Sequence, residues 1–147
     1  MILLCRRSML ALAAVADIAL HARPHPVAAK ALAGRLDLPP RHLETLLQAL
    51  VRAEILKGVR GPRGGYELAR ERRRISAAAV IRAVMDVDGV GAKSESRFVA
   101  DVIGPVVGRA AEAFLGQLEL VTIDDICRQA GEERIFHDAR AKPDFTI

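Results

Sequence analysis

The stretch Gly58-Val-Arg-Gly-Pro-Arg-Gly-Gly-Tyr66 places four glycines, two arginines and a proline within nine residues. Such a composition suits two chemistries: a backbone cradle for phosphate, or a tight turn that carries guanidinium groups outward. A nucleotide-cradling loop needs its glycines to open into a helix, followed by Lys-Ser/Thr or by an acidic residue about 20 positions on. Neither follows here. Ile55 to Val59 and Tyr66 to Ala69 instead have the composition of two short strands. Gly61 to Gly65 then forms the hairpin loop, with glycines supplying positive φ. Arg60 and Arg63 are expected on its projecting tip, where guanidinium groups meet phosphates and the negative potential of a DNA minor groove.

A second set of residues precedes the hairpin. Leu43, Leu46, Leu47 and Leu50 recur at helical spacing, while Arg41, Glu44, Thr45, Gln48 and Arg52 line the opposite side. Arginine can read guanine, glutamate can accept from cytosine N4, and threonine can meet a thymine methyl. A solvated polar face has the same pattern, so the neighbouring elements decide its meaning. A short helix over 28–36, the connection Asp37-Leu38-Pro39-Pro40 and this helix over 40–53 make a helix-turn-helix, and the hairpin follows where a wing would be.

Other chemistry finds little support. His21, His25, His42 and His137 are scattered, with no nucleophile–base pair or metal constellation, so an enzyme is the weaker reading and no metal is expected. Cys5 and Cys127 lie too far apart for a ligand motif or disulfide framework, which fits a reducing cytoplasm.

The elements that must position these groups follow from composition. The 147 residues are 51% apolar but only 3% aromatic, which predicts one domain of close-packed helices built on Ala, Leu, Val and Ile. Charge is divided: residues 1–75 hold fourteen Lys and Arg against six Asp and Glu, net +8, whereas residues 76–147 are net −4. The basic half contains both candidate contact surfaces, as a polyanion-binding face requires.

Arg6-Arg7 ahead of an apolar run superficially resembles a twin-arginine export signal. Apolar Ile2-Leu3-Leu4 comes first, however, and Asp17 interrupts a pattern that continues to Leu20, so a core helix over 8–22 is expected, ended by Arg23-Pro24. No segment is expected to enter a membrane. Ser76 should cap a helix reaching Met85, and Thr122 with Asp125 has the spacing of a capping box for a last helix through Gln129. Between them, Phe98 to Val121 reads as a long helix, kinked or restarted at Gly104-Pro105. Its stripe of Val99, Val102, Val106, Ala110, Phe114 and Leu118 is expected to form a dimer seam.

Leu43-Glu-Thr-Leu-Leu47, Leu56 to Ala69 with its VRGPRGGYELA core, Ile75-Ser76 and Val121 to Ile126 together resemble the IscR/NsrR (Rrf-two) family of bacterial transcription regulators. The resemblance spans about residues 8–130. It implies a mainly α protein with a small β-hairpin wing: a winged helix-turn-helix domain in 1–85, a loop in 86–97, dimerisation helices in 98–130 and a flexible tail in 131–147. It further implies a cytoplasmic homodimer, acting as a repressor, that binds double-stranded DNA at a palindromic operator. Recognition positions would be Arg41, His42, Glu44 and Thr45, with Gln48 on the same face and Arg60, Gly61 and Arg63 in the wing. Glu44 has the alternative of ordering Arg41 or the helix N-terminus, and His42 that of a backbone contact or plain surface residue. A winged-helix protein-interaction module is the alternative function.

Departures from the family pattern are informative. Many members hold an iron–sulfur cluster with three cysteines in the loop that corresponds to Asp86–Arg97, and this loop has none, so no cofactor is expected. Members typically show Lys-Gly-Arg-Tyr where Arg7-Ser-Met-Leu10 stands, and Arg6 and Arg7 would supply phosphate contacts instead. Regulation is left to Cys5 as a redox-active thiol beside Arg6 and Arg7, or to an unidentified small-molecule or protein effector at the dimer helices. A plain thiol is the alternative for Cys5.

Overall fold

A computed structural model describes residues 5–85 and 96–132. Among the described residues there are six helices and one hairpin, and the first helix, made largely of small residues, lies at the centre of the packing. Helix α1 (Arg6–His21) carries Ala11, Ala14, Val15 and Ile18 with no exposed surface, and alanines let its neighbours approach closely. The helix ends before Arg23-Pro24, where proline removes a donor and restricts the preceding residue.

Helix α2 (Ala29–Leu36) ends at Asp37 in the left-handed region (φ 51°), with the Leu38 amide donating to the Ala33 carbonyl at 3.0 Å. Helix α3 (Pro40–Arg52) starts with proline in the first turn, where a missing N–H costs nothing. Its leucines at 43, 46, 47 and 50 all join the main core. One carboxylate fixes α2 against α1: Asp17, fully buried, accepts from Arg35 Nε at 2.8 Å and from its terminal nitrogen at 2.7 Å. The residue that interrupts the apolar run of α1 is therefore the anchor of the helix-turn-helix.

Strands β1 (Leu56–Val59) and β2 (Gly65–Leu68) pair antiparallel, with Leu56 opposite Leu68 and Val59 opposite Gly65. The base of this wing is held by a third segment. Val27 exchanges two backbone hydrogen bonds with Tyr66, at 2.9 and 2.8 Å. Gly65 passes so close to that segment that a Cβ would lie 2.3 Å from the Val27 carbonyl oxygen. At the tip, Gly61 has φ +119°, a conformation that L side chains rarely adopt.

A short 3₁₀ turn, Arg72–Arg74, leads to helix α4 (Ala77–Met85), whose capping Ser76 Oγ accepts from the Ala79 amide at 3.1 Å. Val99–Ile103 is π-helical and runs into helix α5 (Gly104–Glu119). The Gly104 amide there reaches the Val99 carbonyl, one residue farther back than in an α-helix. Pro105, which has no N–H to continue the ladder, accounts for the irregularity at the predicted break. Helix α6 (Ile123–Glu132) begins with a reciprocal capping box: the Thr122 amide donates to Asp125 Oδ2 at 2.9 Å and the Asp125 amide to Thr122 Oγ1 at 3.1 Å.

Helix α6 returns to α1, placing Ile123 and Cys127 in the main core. Backbone bonds from Ala77 to Val121 (2.8 Å) and from Ile123 to Ile75 (2.9 Å) clip the foot of α5 to the chain just beyond the wing. The expected loop over 86–97 lies outside the described residues except for its last two, and the expected tail over 131–147 except for its first two.

Candidate nucleic-acid interface

Helix α3 separates its two faces completely. Leu43, Leu46, Leu47 and Leu50 are buried, whereas Arg41, His42, Glu44, Thr45 and Gln48 are exposed. From Arg41 to Gln48 the rise is about 10 Å, which matches a major groove about 12 Å wide. Among the described residues no ion pair joins Glu44 to Arg41, and the Glu44 side chain faces solvent. No side-chain cap occupies the N-terminus of α3.

The wing supplies the second exposed set. Arg60, Gly61 and Arg63 are exposed around the glycine turn, and the Gly64 amide donates to the Gly61 carbonyl at 2.9 Å to close it. A cross-strand pair, Lys57 Nζ to Glu67 Oε1 at 2.9 Å, neutralises charge lower on the hairpin and leaves the tip positive. Arg6 is exposed at the start of α1 and Arg7 is partly buried.

The long helix splits its predicted stripe in two. Phe114 and Leu118 are half-buried against Ala78, Ile81 and Leu115, so the C-terminal part of α5 packs on α4 within the chain. Val99, Val102, Val106 and Ala110 are exposed, and with Phe98, Ile103 and Val107 they form a continuous apolar face on the N-terminal part. Phe98 is 65% exposed and Val107 58%. Beside this packing, exposed ion pairs join Arg82 of α4 to Glu119 at 2.8 Å and to Glu112 at 3.6 Å on α5.

The two cysteines are held apart. Cys127 Sγ lies 3.8 Å from the Ala16 carbonyl, and Cys5 precedes the first residue of that same helix, so about 16 Å of helix separates the two. Burial pushes the Cys127 thiol up, disfavouring its thiolate. Cys5 is exposed, with its Sγ 3.3 Å from Ser8 Oγ. Among the described residues no group of three or more His, Cys, Asp or Glu could hold a metal ion, and no helix is long and apolar enough to cross a membrane.

A family model described as Rrf2, iron-dependent transcriptional regulator, matches residues 4–129. The chain belongs to the Rrf2 family. It is 30% identical to the transcriptional regulator IscR of Yersinia pseudotuberculosis, over 93% of this chain and 91% of that protein. The solved structure of T. potens IscR superposes with a TM-score of 0.69 at 29% identity, covering 89% of this chain and 90% of that one. The cysteine regulator CymR of B. subtilis shares the fold, with a TM-score of 0.66 at 23% identity over 86% and 96% of the two chains. As an Rrf2 protein this chain is a DNA-binding transcriptional regulator on a winged helix-turn-helix. Iron–sulfur clusters are held by sets of cysteine thiolates. This Rrf2 chain has two cysteines, Cys5 ahead of α1 and Cys127 buried on α6, and that donor set does not fit a cluster.

Sequence reasoning missed three features of the site's support: Val27 pairing with Tyr66, Asp17 with Arg35, and Asp124 with Arg72 (2.7 Å) and Arg128 (3.4 Å). Apart from Asp124 with Arg128, an i,i+4 pair on α6, each joins residues distant in sequence. Two signals were present: Asp17, a charged residue within an apolar helical run, and the i,i+4 spacing of Asp124 and Arg128.

Proposed function

We propose that the chain acts in the cytoplasm as a homodimeric, cluster-free repressor that reads a palindromic operator with α3 in the major groove and the wing in the minor groove. The observation that carries this reading is the division of α3, where a fully buried leucine stripe holds Arg41, His42, Glu44, Thr45 and Gln48 outward. Arg60, Gly61 and Arg63 would follow the groove from the wing tip, and Arg6 and Arg7 would meet phosphates beside it.

The apolar face from Phe98 to Ala110 supports the dimer, since a second copy would cover it with the same face turned round a two-fold axis. A two-fold protein asks for a two-fold site, hence the palindrome. A dimer seated on a promoter excludes polymerase by its bulk, which is the simplest regulatory action and supports repression. Residues 1–85 would read DNA and 98–130 would hold the dimer, with α6 also completing the core of the reading domain. We assign it no enzymatic activity.

Selection of bound duplexes from random DNA at two salt concentrations tests the proposal, after the visible absorbance of the purified protein has been recorded. A palindromic motif with steep salt dependence from a colourless protein is the expected result. No enrichment would leave the protein-interaction module, and a brown protein would overturn the cluster-free reading.

A further inference from the structure

One cleft of about 730 Å³ lies away from both predicted DNA contacts. It opens between the C-terminal end of α1, the end of β2 and the arginine turn before α4, at the opposite end of α1 from Cys5, Arg6 and Arg7. Its size falls in the range of small-molecule sites. Ile18, Leu20, Ala22 and Leu68 give it an apolar wall, and Arg23, Arg70, Arg72 and Arg73 line it with positive charge.

These arginines are unequally engaged. Arg70 donates to the Glu54 carbonyl at 3.2 Å, and Arg72 lies 2.7 Å from Asp124. Arg73 reaches Asp124 only at 3.7 Å with its side chain 81% exposed, and Arg23 has no hydrogen bond or ion pair among the described residues. Two carboxylates also line the cleft. Glu67 is already paired with Lys57, and Glu71 remains as a negative group that would repel a multiply charged ligand. An apolar wall, two under-used guanidinium groups and one opposing carboxylate select a molecule with an apolar body and a single carboxylate.

We infer that this cleft binds a small organic monocarboxylate as an effector of the regulator. The inference rests on the proposed DNA-binding function for its consequence, but not for the binding itself. Glu67 and Leu68 belong to the wing, while Asp124 follows directly on the bonds that clip α5 to Ile75 and Ala77. A carboxylate held by Arg23 that draws Arg73 from Asp124 therefore touches both the wing and the start of α6, where the chain returns from the dimer arm.

The test titrates the free protein with phenylacetate and 3-methylbutanoate, with inorganic phosphate and neutral phenylacetamide alongside, while backbone amide signals are followed by NMR. Saturable shifts over residues 18–23 and 67–73 with the two monocarboxylates, at millimolar concentration or below, are expected. Phenylacetamide should produce none and phosphate only weak ones. Arg23→Ala and Arg73→Ala, both at exposed positions, should weaken binding at least tenfold with the remaining spectrum preserved. Absence of saturable shifts with either acid, equal response to phosphate, or binding untouched by both variants overturns the site. Once an operator is known, saturating monocarboxylate should change its affinity about tenfold, and an unchanged affinity overturns the effector role. Failure of DNA selection alone would leave the NMR result standing, so the two readings fail separately.

Discussion

Asp17 and Arg35 form a two-point ion pair, at 2.7 and 2.8 Å, between a fully buried carboxylate on α1 and a guanidinium on α2 that keeps 30% of its side chain in solvent. The hydrogen bonds to Asp17 hold the Arg35 pKa above its ordinary value. His21 Nδ1 donates to the Asp17 carbonyl at 2.8 Å and lies 3.4 Å from the carboxylate, so three groups converge there. Arg35→Ala leaves that carboxylate buried without its main partner and should cost about 3–5 kcal/mol in urea denaturation. A loss below about 1 kcal/mol would show that the pair does not anchor α2.

The wing depends on the close pass of Gly65 by Val27. Gly65→Ala puts a methyl group where the Val27 carbonyl oxygen already sits, so the hairpin must detach from that segment. Loss of about 1–3 kcal/mol is expected, with faster hydrogen exchange at the Val27 and Tyr66 amides. Gly58→Ala, on the opposite strand with open space at its Cβ, is the control and should leave exchange at those amides unchanged.

Arg60→Ala should weaken DNA binding for all sequences and lower the salt slope by about one, as loss of one phosphate contact does. Glu44→Ala should leave that slope alone and broaden base preference at one position of the operator. Fluorescence anisotropy over a salt series separates the two effects, and an unchanged Arg60→Ala curve would remove the wing from the interface.

Val102→Asp and Val106→Asp place charges on an exposed helix face. If that face is the dimer seam, sedimentation should show monomers with the fold intact, and operator affinity should fall at least a hundredfold as the second half-site is lost. Dimers persisting in both variants would place the seam elsewhere.

Asp125 is held below the ordinary carboxylate range, first by the Thr122 amide and then by Arg128 and the Thr122 hydroxyl. A lowered folded pKa makes its contribution present above the unfolded value and lost as pH falls through the folded one. Asp125→Asn should therefore flatten the acid limb of the stability curve below the usual carboxylate range while leaving neutral pH least altered in slope. An identical acid limb in both proteins would show that the capping box adds no acid sensitivity.

The fold was legible wherever a local pattern carried it. Leucine spacing revealed α3, glycines the wing tip, Ser76 and Thr122 two helix starts, and Gly104-Pro105 the break in the long helix. These are near-neighbour effects of propensity and capping. What escaped was pairing between distant residues. Nothing near Val27 shows that it will bond Tyr66, and no periodicity over 98–119 distinguishes Phe114 and Leu118, which pack on α4, from Val102 and Val106, which face solvent. The stripe was visible, but which part the chain itself would cover was decided by the direction in which α5 leaves α4.

Cys127 resting on Ala16 joins residues 111 positions apart, near the two ends of the described chain. A nascent chain can form α3 and the wing early, but the socket on α1 stays open until α6 emerges from the ribosome. The core around α1 is therefore completed only after α5 has also been made. A message broken within α5 would yield a chain whose α1 face lacks the cover that Ile123 and Cys127 give it, and a bared apolar face of that kind favours proteolysis over folding.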